Sequence, residues 1–310
     1  MNGAPSSTWF SASPHWGWLI TLYFFLGGLA GGCYFLAALI DLIGRSEDRP
    51  LARLGYYVAF PGVVVSGMLL TLDLGRPLRF WHMLIESNTY RPMFKYWSPM
   101  SIGSWALLIF GLFSFLAFVG AVAEDDRIRW PAVRTIRARW PSLSRLLPPS
   151  ALGRAISVIG AIFGLYVAGY TGVLLAVTNR PIWSDTLLLG MLFMLSAAST
   201  SAALIILLAH RSDWTLPGVA DMHRMERWAI VLELLVLIAV VASLGPVLRA
   251  WLNVWGLLLA IVILLGMVAP LALSWRARRA QELNLATAAV LVLVAGFLLR
   301  VVIVFSSGAV

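Results

Sequence analysis

Eight long and almost uncharged apolar segments dominate this sequence and restrict its fold more than any other feature. An α-helix needs roughly 20 consecutive, mostly apolar residues to cross the hydrocarbon core of a bilayer. Strands cross only as closed barrels, whose sequences alternate between apolar and polar residues, whereas these runs are continuous. The sequence therefore predicts an all-α integral membrane protein with about eight transmembrane helices. The predicted spans are Trp18–Ile43, Leu54–Leu74, Met100–Ala123, Ala155–Thr178, Thr186–Ala209, Trp228–Leu244, Leu252–Trp275 and Leu283–Phe305.

The composition also favours the bilayer as the solvent. Only 12% of the 310 residues are charged, against roughly 25% in a soluble domain. The net charge of +9 would indicate nucleic acid in a soluble protein. Here the arginines collect in the loops between apolar runs, where anionic lipid and membrane topology account for them. We therefore expect membrane lipid, and no nucleic acid, around the basic loops.

The distribution of Lys and Arg among the loops predicts the orientation. Sixteen arginines lie in the odd-numbered connections between spans, and six Lys or Arg lie in the even-numbered ones. Because cytoplasmic loops are enriched in Lys and Arg, we expect cytoplasmic odd connections and two extracytoplasmic termini. Residues 1–17 would form an extracytoplasmic segment rather than a secretory signal, since they contain no Lys or Arg. The Arg-rich cytoplasmic loop 124–154 then separates two four-helix bundles, at 18–178 and 179–310.

Small residues in the first span predict a close helix crossing. The overlapping pairs Gly27/Gly31 and Gly28/Gly32 have the small-xxx-small spacing, which lets helix backbones approach closely in membranes. A phosphate-binding loop is the alternative, but no strand precedes these glycines and they lie in the middle of the span.

Ionisable side chains inside apolar spans are costly, so each one is a candidate functional residue. Asp41 and Glu233 lie near the predicted cytoplasmic ends of their spans, where access to water is their simplest explanation. Together with the Ser/Thr-rich run 196–203 they could instead form an inner proton path. Asp73 and Arg300 share a depth in the outer half of the membrane, which suggests an ion pair between them.

Aromatic and polar residues also collect at that outer level. Tyr23, Tyr166 and Tyr170 lie there, together with the turn Asn179–Trp183 and the loop Gly75–His82. Tyr and Trp at this depth often form an interfacial belt, which explains the tryptophans as well as a functional role does. The convergence of Tyr, Asp, Arg and His on one side nevertheless predicts an apolar cleft with a few hydrogen-bonding groups. This is the usual form of a cofactor or small-ligand pocket.

The use of histidine and cysteine limits the cofactors. A b-type haem normally needs axial ligands that face each other from mid-membrane positions, and no histidine lies there, so we expect no haem. The single Cys33 and the scattered histidines form no recognisable metal site, and they exclude an iron–sulfur cluster held by this protein alone. Electrons that move through the protein must come from an organic redox carrier and pass to a partner. The four histidines are His15, His82, His210 and His223.

Five stretches of the sequence form a recognisable set, namely Tyr23–Gly32, Asp73–Trp81, Ser98–Trp105, Tyr170–Trp183 and Gly296–Arg300. Together they resemble the membrane subunits of the polysulfide reductase family, often called NrfD-type. The most specific strings are Asp73-Leu74-Gly75-Arg76-Pro77 and Asn179-Arg180-Pro181-Ile182-Trp183. The resemblance implies a haem-free, multi-pass anchor of the bacterial cytoplasmic (inner) membrane that binds menaquinone or ubiquinone near the outer face. It also implies an iron–sulfur, ferredoxin-like subunit docked there and, commonly, a molybdopterin catalytic subunit beyond it.

The resemblance also assigns roles to residues. It implies that Tyr170 and Tyr23 form hydrogen bonds with the quinone head group, although the polysulfide reductase pattern has His in place of Tyr23 and Asn in place of Ile20. Tyrosine can donate to a quinone carbonyl, but it does not exchange protons near neutral pH as histidine does. Asp73 would accept a proton at the outer mouth. The residues that would shape this mouth, meet the partner subunit or complete the cofactor site are Arg76, His82, Asn179, Arg180 and Arg300.

Other functions stay open at the level of sequence. The protein could be a proton-translocating subunit of a larger electron-transfer complex, similar to alternative complex III, with Asp41 and Glu233 in the proton path. A solute transporter has only the helix count in its favour. A purely structural anchor would be distinguished by extracting quinone from the purified protein. None of these interpretations puts the catalytic centre for a terminal substrate in this protein.

Overall fold

The computed structural model describes residues 16–128, 130–211, 216–276 and 283–308. Within these ranges the protein consists of helices joined by turns, and its only extended pairing is one isolated bridge. The predicted all-α class is confirmed. The predicted N-terminal segment falls almost wholly outside the described residues. The α-helices are α1 (Trp18–Ile43), α2 (Arg49–Asp73), α3 (Pro99–Glu124), α4 (Pro131–Arg139), α5 (Ala151–Ala176), α6 (Leu189–Arg211), α7 (Pro217–Ser243), α8 (Val254–Ile263), α9 (Ala269–Arg276) and α10 (Leu283–Ser306).

Seven helical segments in the described part of the protein are long and apolar enough to cross a membrane. They are α1, α2, α3, α5, α6, the segment Val254–Leu273 and α10. An eighth candidate is α7 taken together with the 3-10 helix Gly245–Trp251, which bends away from it by 108°. The segment that contains α8 and α9 is interrupted by a π-helical stretch at Leu264–Val268. The protein is therefore a multi-span membrane protein with seven candidate spans, or eight if the bent pair forms one.

Helix α7 begins well before the apolar run that marks it in the sequence. It starts at Pro217 instead of the predicted Trp228, and proline is favoured in the first turn of a helix. The Asp48 carboxylate accepts a hydrogen bond from the backbone N–H of Gly218 at 2.7 Å, where the helix dipole stabilises negative charge. Glu233 consequently lies well inside α7, and the prediction that it lies near the end of its helix is wrong.

Helix α1 packs against α2, α5, α6 and α10, and its glycines make two of these contacts possible. A Cβ added to Gly31 would overlap the carbonyl group of Gly164 on α5. A Cβ on Gly32 would lie 2.8 Å from the carbonyl oxygen of Ala197 on α6. The predicted close crossing is confirmed, and it occurs on two sides of the same helix.

Local signals fix the helix ends that surround the candidate site. Helix α2 ends at Asp73, and Gly75 then adopts a φ of +61°, a left-handed conformation that favours glycine. The backbone returns to the start of α3 at Pro99, where the Ser98 hydroxyl accepts a hydrogen bond from the N–H of Ser101 at 3.3 Å. Such an N-cap followed by proline is a favourable helix start. The end of α2 and the start of α3 therefore lie at the same end of the molecule.

Candidate functional site

A cavity of about 980 Å³ lies among α1, α2, α3 and α5. It occupies the end of the molecule where α1 and α3 begin and where α2 and α5 end. Most of its walls are Leu, Val, Met and Phe side chains. A large apolar cavity with a few convergent polar groups is the common form of a small-ligand site. The hydroxyl and carboxyl groups on its walls belong to Tyr23, Thr71, Asp73, Ser104 and Tyr170.

Two tyrosines from neighbouring helices supply hydrogen-bond donors inside this cavity. Tyr23 of α1 is 3% exposed and Tyr170 of α5 is 6% exposed. Neither phenol forms a hydrogen bond with another of the described residues. Neither hydroxyl oxygen is among the enclosed side-chain atoms that lack a hydrogen-bond partner, so each reaches the open space of the cavity. Both hydroxyl groups are therefore available to a bound ligand.

Glycines give these two rings the space they occupy. A Cβ on Gly103 of α3 would overlap the phenol ring of Tyr170, so no side chain fits at that position. The Tyr170 ring also stacks on that of Tyr166, with centroids 5.6 Å apart. A Cβ on Gly27 would lie 3.3 Å from the Tyr23 ring. The position of each phenol thus depends on a nearby glycine as well as on its own helix.

The other polar groups of the cavity lie on α2 and α3. Asp73, the last residue of α2, lines the cavity and is exposed. The Thr71 hydroxyl donates to the carbonyl oxygen of Gly67 at 2.8 Å, and the Ser104 hydroxyl donates to that of Ser101 at 2.9 Å. Both hydroxyl protons are used within their own helices, which is common for Ser and Thr in helices. Sequence reasoning missed both residues because nothing distinguishes them from other helical Ser and Thr, although Ser104 lies in one of the recognised stretches.

Four residues of the predicted site lie outside the cavity. Arg76 and His82 belong to the loop after α2, and Asn179 and Arg180 belong to the turn before α6. None of them lines the cavity. Other residues of the loop after α2 do line it, namely Phe80, Met83 and Leu84.

Trp183 packs inside the protein. It is 1% exposed, and its indole N–H donates to the carbonyl oxygen of Ile303 at 2.7 Å. The interfacial-belt explanation is therefore wrong for this residue. Its ring stacks on Trp16, with centroids 5.1 Å apart, and Trp16 lines the cavity. Trp183 thus supports one wall of the cavity from behind.

Arg300 forms a second polar region, separate from the cavity. Its side chain is completely buried, and its guanidinium donates to the carbonyl oxygens of Phe24 at 3.2 Å and Gly296 at 2.6 Å and to the Ser196 hydroxyl at 3.0 Å. The expected ion pair with Asp73 is wrong: these two described residues form no salt bridge, and Asp73 lies at the exposed end of α2. Matching depth did not bring the two helix faces together.

Glu233 belongs to this same buried region. It is 4% exposed, and the Ser199 hydroxyl donates to its carboxylate at 2.7 Å. Ser199 and Ser196 are neighbours on one turn of α6, because the Ser199 hydroxyl also contacts the Ser196 carbonyl oxygen at 3.1 Å. A series of polar groups therefore runs from Glu233 through α6 to Arg300. Access to water, the simplest explanation of Glu233, is wrong.

Asp41 lies in a different cluster, at the opposite end of the molecule from the cavity. Its carboxylate is 3.9 Å from the Arg49 guanidinium, and its side chain is only 3% exposed. Arg49 and Arg53 also pair with Glu124 at 3.5 Å, which joins the end of α3 to the start of α2. Asp41 is thus held by a partly buried ion-pair network, which is separate from the hydrogen bonds around Glu233.

A family model decides how this architecture is classified. The model described as "Polysulphide reductase, NrfD" matches residues 9–310, which is nearly the whole sequence. The chain belongs to the NrfD polysulphide reductase family. The resemblance seen in the five sequence stretches is confirmed.

Individual relatives in the NrfD family are distant but extensive. Protein NrfD of Escherichia coli strain K12 is 26% identical over 246 residues, which cover 74% of this protein and 71% of the relative. A polysulfide reductase chain of Wolinella succinogenes is 25% identical over 285 residues, covering 82% and 84%. A selenate reductase subunit of Mesobacillus selenatarsenatis is 27% identical over 101 residues, covering 33% and 21%. The two longer matches cover most of both proteins.

The donor set of this NrfD-family protein suits an organic ligand. In the described ranges, no group of three or more His, Cys, Asp or Glu side chains is placed to hold a metal ion. The cavity instead offers two phenols and one carboxylate within apolar walls. The two phenols can form hydrogen bonds with a ligand inside the cavity. The carboxylate can exchange a proton at the mouth of the cavity.

Proposed function

We propose that this protein is the quinone-binding membrane subunit of a respiratory oxidoreductase complex. It exchanges electrons between the quinone pool and an iron–sulfur, ferredoxin-like subunit docked on the outer face. The observation that carries this proposal is the cavity in which two buried, unpartnered phenols and a carboxylate share apolar walls. Relatives named as individual chains or subunits of polysulfide and selenate reductases support a complex of several proteins. The catalytic centre for the terminal substrate lies in another subunit, a molybdopterin protein in our proposal.

The residues of the cavity have different roles in quinol oxidation or quinone reduction. The redox chemistry is that of the quinone, menaquinone or ubiquinone, and the protein supplies position, hydrogen bonds and a proton acceptor. Tyr23 and Tyr170 donate hydrogen bonds to the head-group oxygens and so fix the ring. Oxidation of a quinol releases two protons with two electrons; the electrons go to the iron–sulfur subunit, and the Asp73 carboxylate accepts the two protons one after the other at the mouth. Because Asp73 is exposed, it passes each proton on to water before it accepts the next.

The outer loop next to the cavity offers a surface for the electron partner. Between Gly75 and Ser98 it exposes large apolar side chains, among them Leu78 at 90% and Trp97 at 67%. Exposed apolar patches of this kind mark protein–protein contacts. We assign this loop, with Arg76 and His82, to the docking of the iron–sulfur subunit. Asn179 and Arg180 belong to the same end of the molecule.

The membrane topology is proposed on charge. Eight transmembrane helices would form one bundle at 18–178 and another at 179–310, with residues 1–17 and the cavity mouth outside a bacterial cytoplasmic membrane. The Arg-rich loop 124–154 would face the cytoplasm. Sixteen arginines in the odd connections against six Lys or Arg in the even ones support this orientation.

The test is quinol oxidation by the assembled complex that carries Asp73→Asn or Tyr170→Phe. Loss of the proton acceptor should lower kcat about 100-fold. Loss of one hydrogen bond to the head group should lower kcat/KM about tenfold. Asp221→Asn, at an exposed carboxylate near the start of α7, and Tyr166→Phe, one turn from Tyr170, are the matched controls and should keep wild-type rates. Wild-type turnover in both Asp73→Asn and Tyr170→Phe would contradict the assignment.

A second candidate function is proton translocation, and the buried polar series from Glu233 to Arg300 favours it. A carboxyl group hydrogen-bonded to Ser199 in the middle of a span is typical of a proton relay. The test is the proton-to-electron ratio of proteoliposomes that contain the Glu233→Gln complex. A lowered ratio at unchanged electron flow supports translocation, and an unchanged ratio removes it. Glu226→Gln, on the same helix and paired with His223, is the control.

A further inference from the structure

The cavity is much longer than the part that the two phenols occupy. Helix α3 lines it from Met100 to Phe115, which is about 22 Å of helix at 1.5 Å per residue. Tyr170 packs on α3 at Gly103, near the outer end of this stretch. The cavity therefore continues for about three turns of α3 beyond the phenols, toward the middle of the membrane. From Leu107 to Phe115, the α3 residues that line this inner part are all apolar.

The inner part of the cavity opens sideways between α2 and α3. Met68 of α2 and Leu108 and Leu112 of α3 all line it. These same side chains are 58%, 50% and 55% exposed. Because they lie inside segments long and apolar enough to cross a membrane, their exposed faces meet lipid. We call the inner part, between Leu107 and Phe115 on α3 and between Phe60 and Met68 on α2, the α2–α3 groove.

Two glycines leave the α2–α3 groove open. Gly67 and Gly111 both line it, and a Cβ at either position would meet no atom within 4 Å. Neither has a positive φ, so neither backbone conformation requires glycine. Glycine also destabilises the interior of a helix relative to alanine. What these residues provide is free space, in contrast to Gly103, which is required by the Tyr170 ring.

Two aromatic rings line the far end of the groove. Phe60 of α2 and Phe115 of α3 both line it, and their ring centroids are 5.2 Å apart. The groove thus connects with the head-group end of the cavity on one side and with lipid along its length. This is the shape of a site for a long apolar tail attached to a polar head.

We propose that the α2–α3 groove binds the isoprenoid tail of a membrane quinol, and that Gly67 and Gly111 determine specificity for tailed quinols. This inference rests on the proposed function, because it needs the head group at Tyr23 and Tyr170. We choose the tail as the occupant for three reasons. The groove is continuous with the part of the cavity that contains the phenols, and it is apolar throughout. It is also open to the lipid of the bilayer, in which such a tail is dissolved.

The test is to fill the groove with Gly67→Leu or Gly111→Leu in the assembled complex. Oxidation rates are measured with a quinol that carries a full isoprenoid tail and with a tail-less quinol of the same ring, in both the naphthoquinol and the benzoquinol series. The loss of about two buried methylene groups of the tail corresponds to about tenfold in affinity. We expect KM for the tailed quinol to rise at least about tenfold, with kcat/KM for the tail-less quinol unchanged. Gly111→Ala, which is small, and Val65→Phe, which adds bulk to α2 outside the cavity, should match wild type.

The outcomes separate this inference from the proposed function. Turnover of the tail-less quinol reports that each variant is folded and assembled. Equal effects on both quinols, or no effect of leucine on either, would overturn the tail assignment while quinol oxidation itself stands. A wild-type complex that oxidises neither kind of quinol in either series would overturn the proposed function and the tail assignment with it.

Discussion

The cavity and the Arg300 region are two polar sites in one apolar protein, and they treat their polar groups in opposite ways. In the cavity, Tyr23 and Tyr170 are buried side chains that line an open space, and their hydroxyl groups have no hydrogen-bond partner among the described residues. In the Arg300 region, the guanidinium is completely buried and is bonded to carbonyl and hydroxyl oxygens on three helices. Unsatisfied groups beside a cavity indicate ligand binding, whereas satisfied groups in close packing indicate a structural bond or a relay. The two tyrosines and Arg300 had looked alike in the sequence.

The largest effect should follow from removing Arg300, the cation of the Arg300 region. Arg300→Met leaves the carbonyl oxygens of Phe24 and Gly296 and the Ser196 hydroxyl without their donor, and it leaves Glu233 without a nearby cation. Losing one partner of a buried charged group costs about 3 to 5 kcal/mol. We expect a loss of folded protein or a large fall in Tm, measured on the purified subunit in detergent. Arg79→Met, at an exposed position of the loop after α2, is the control. A similar Tm for both variants would show that the buried hydrogen bonds of Arg300 do not stabilise the protein.

The next largest effect should come from a substitution in the wall of the cavity, which should lower activity more than stability. Gly103→Ala puts a methyl group into the volume of the Tyr170 ring, so the phenol must move from the cavity wall. We expect kcat/KM for quinol to fall about tenfold, as for the loss of one hydrogen bond. The matched variant on the same helix is Gly111→Ala, where the methyl group meets nothing. Equal rates for these two variants would remove Tyr170 from the site.

A moderate effect, on stability alone, should come from breaking the hydrogen bond between Ser199 and Glu233 in the Arg300 region. Ser199→Ala leaves the buried Glu233 carboxyl without its hydroxyl partner, which costs about 1 to 3 kcal/mol. Tm should fall while quinol oxidation by the folded fraction stays at the wild-type rate. Ser114→Ala serves as the control, since that buried hydroxyl donates only to the Gly111 carbonyl oxygen of its own helix. A fall in turnover at unchanged Tm would instead make Ser199 part of the electron or proton path.

The smallest effect should come from a cavity hydroxyl that is already satisfied. The Ser104 proton is used by the Ser101 carbonyl oxygen, so Ser104→Ala removes no donor from the cavity. We expect a free energy of unfolding within about 0.5 kcal/mol of wild type and a fall in kcat/KM well short of the roughly tenfold loss that one ligand hydrogen bond represents. A full loss of that size in a steady-state quinol assay would mean that Ser104 turns its hydroxyl to the ligand, and the division between the two regions would need revision.

Much of the fold was predictable because apolar length alone identifies membrane helices. The misjudged element was α7, whose first turns contain Asp221, Arg224 and Glu226 and so fall outside any apolar run. Its true start at Pro217 depends on a local proline and on the Asp48 carboxylate, which comes from a distant part of the sequence. Because the predicted helix began too late, Glu233 was predicted to lie near its end, whereas it lies well inside α7. The π-helical stretch at Leu264–Val268 had no signal in hydrophobicity.

The candidate site was predicted in part, and depth explains both the success and the failure. Tyr23, Tyr170 and Asp73 were placed together because their distances from the helix ends agree, and all three line one cavity. Depth does not tell which way a side chain points around its helix axis. Arg300 has the right depth but packs toward α1 and α6, so its pairing with Asp73 was wrong. The glycines that open the cavity were recognisable only once their neighbours were known.

The central claim is that quinone binds between α1, α2, α3 and α5, and photolabelling tests it most directly. The assembled complex is illuminated with a photoreactive quinone analogue, with and without excess unlabelled quinone, and the modified peptides are mapped by mass spectrometry. The account predicts label on the cavity-lining parts of these helices, removed by competition and reduced in Gly103→Ala. Competed label confined to α6, α7 and α10, around Glu233 and Arg300, would contradict it.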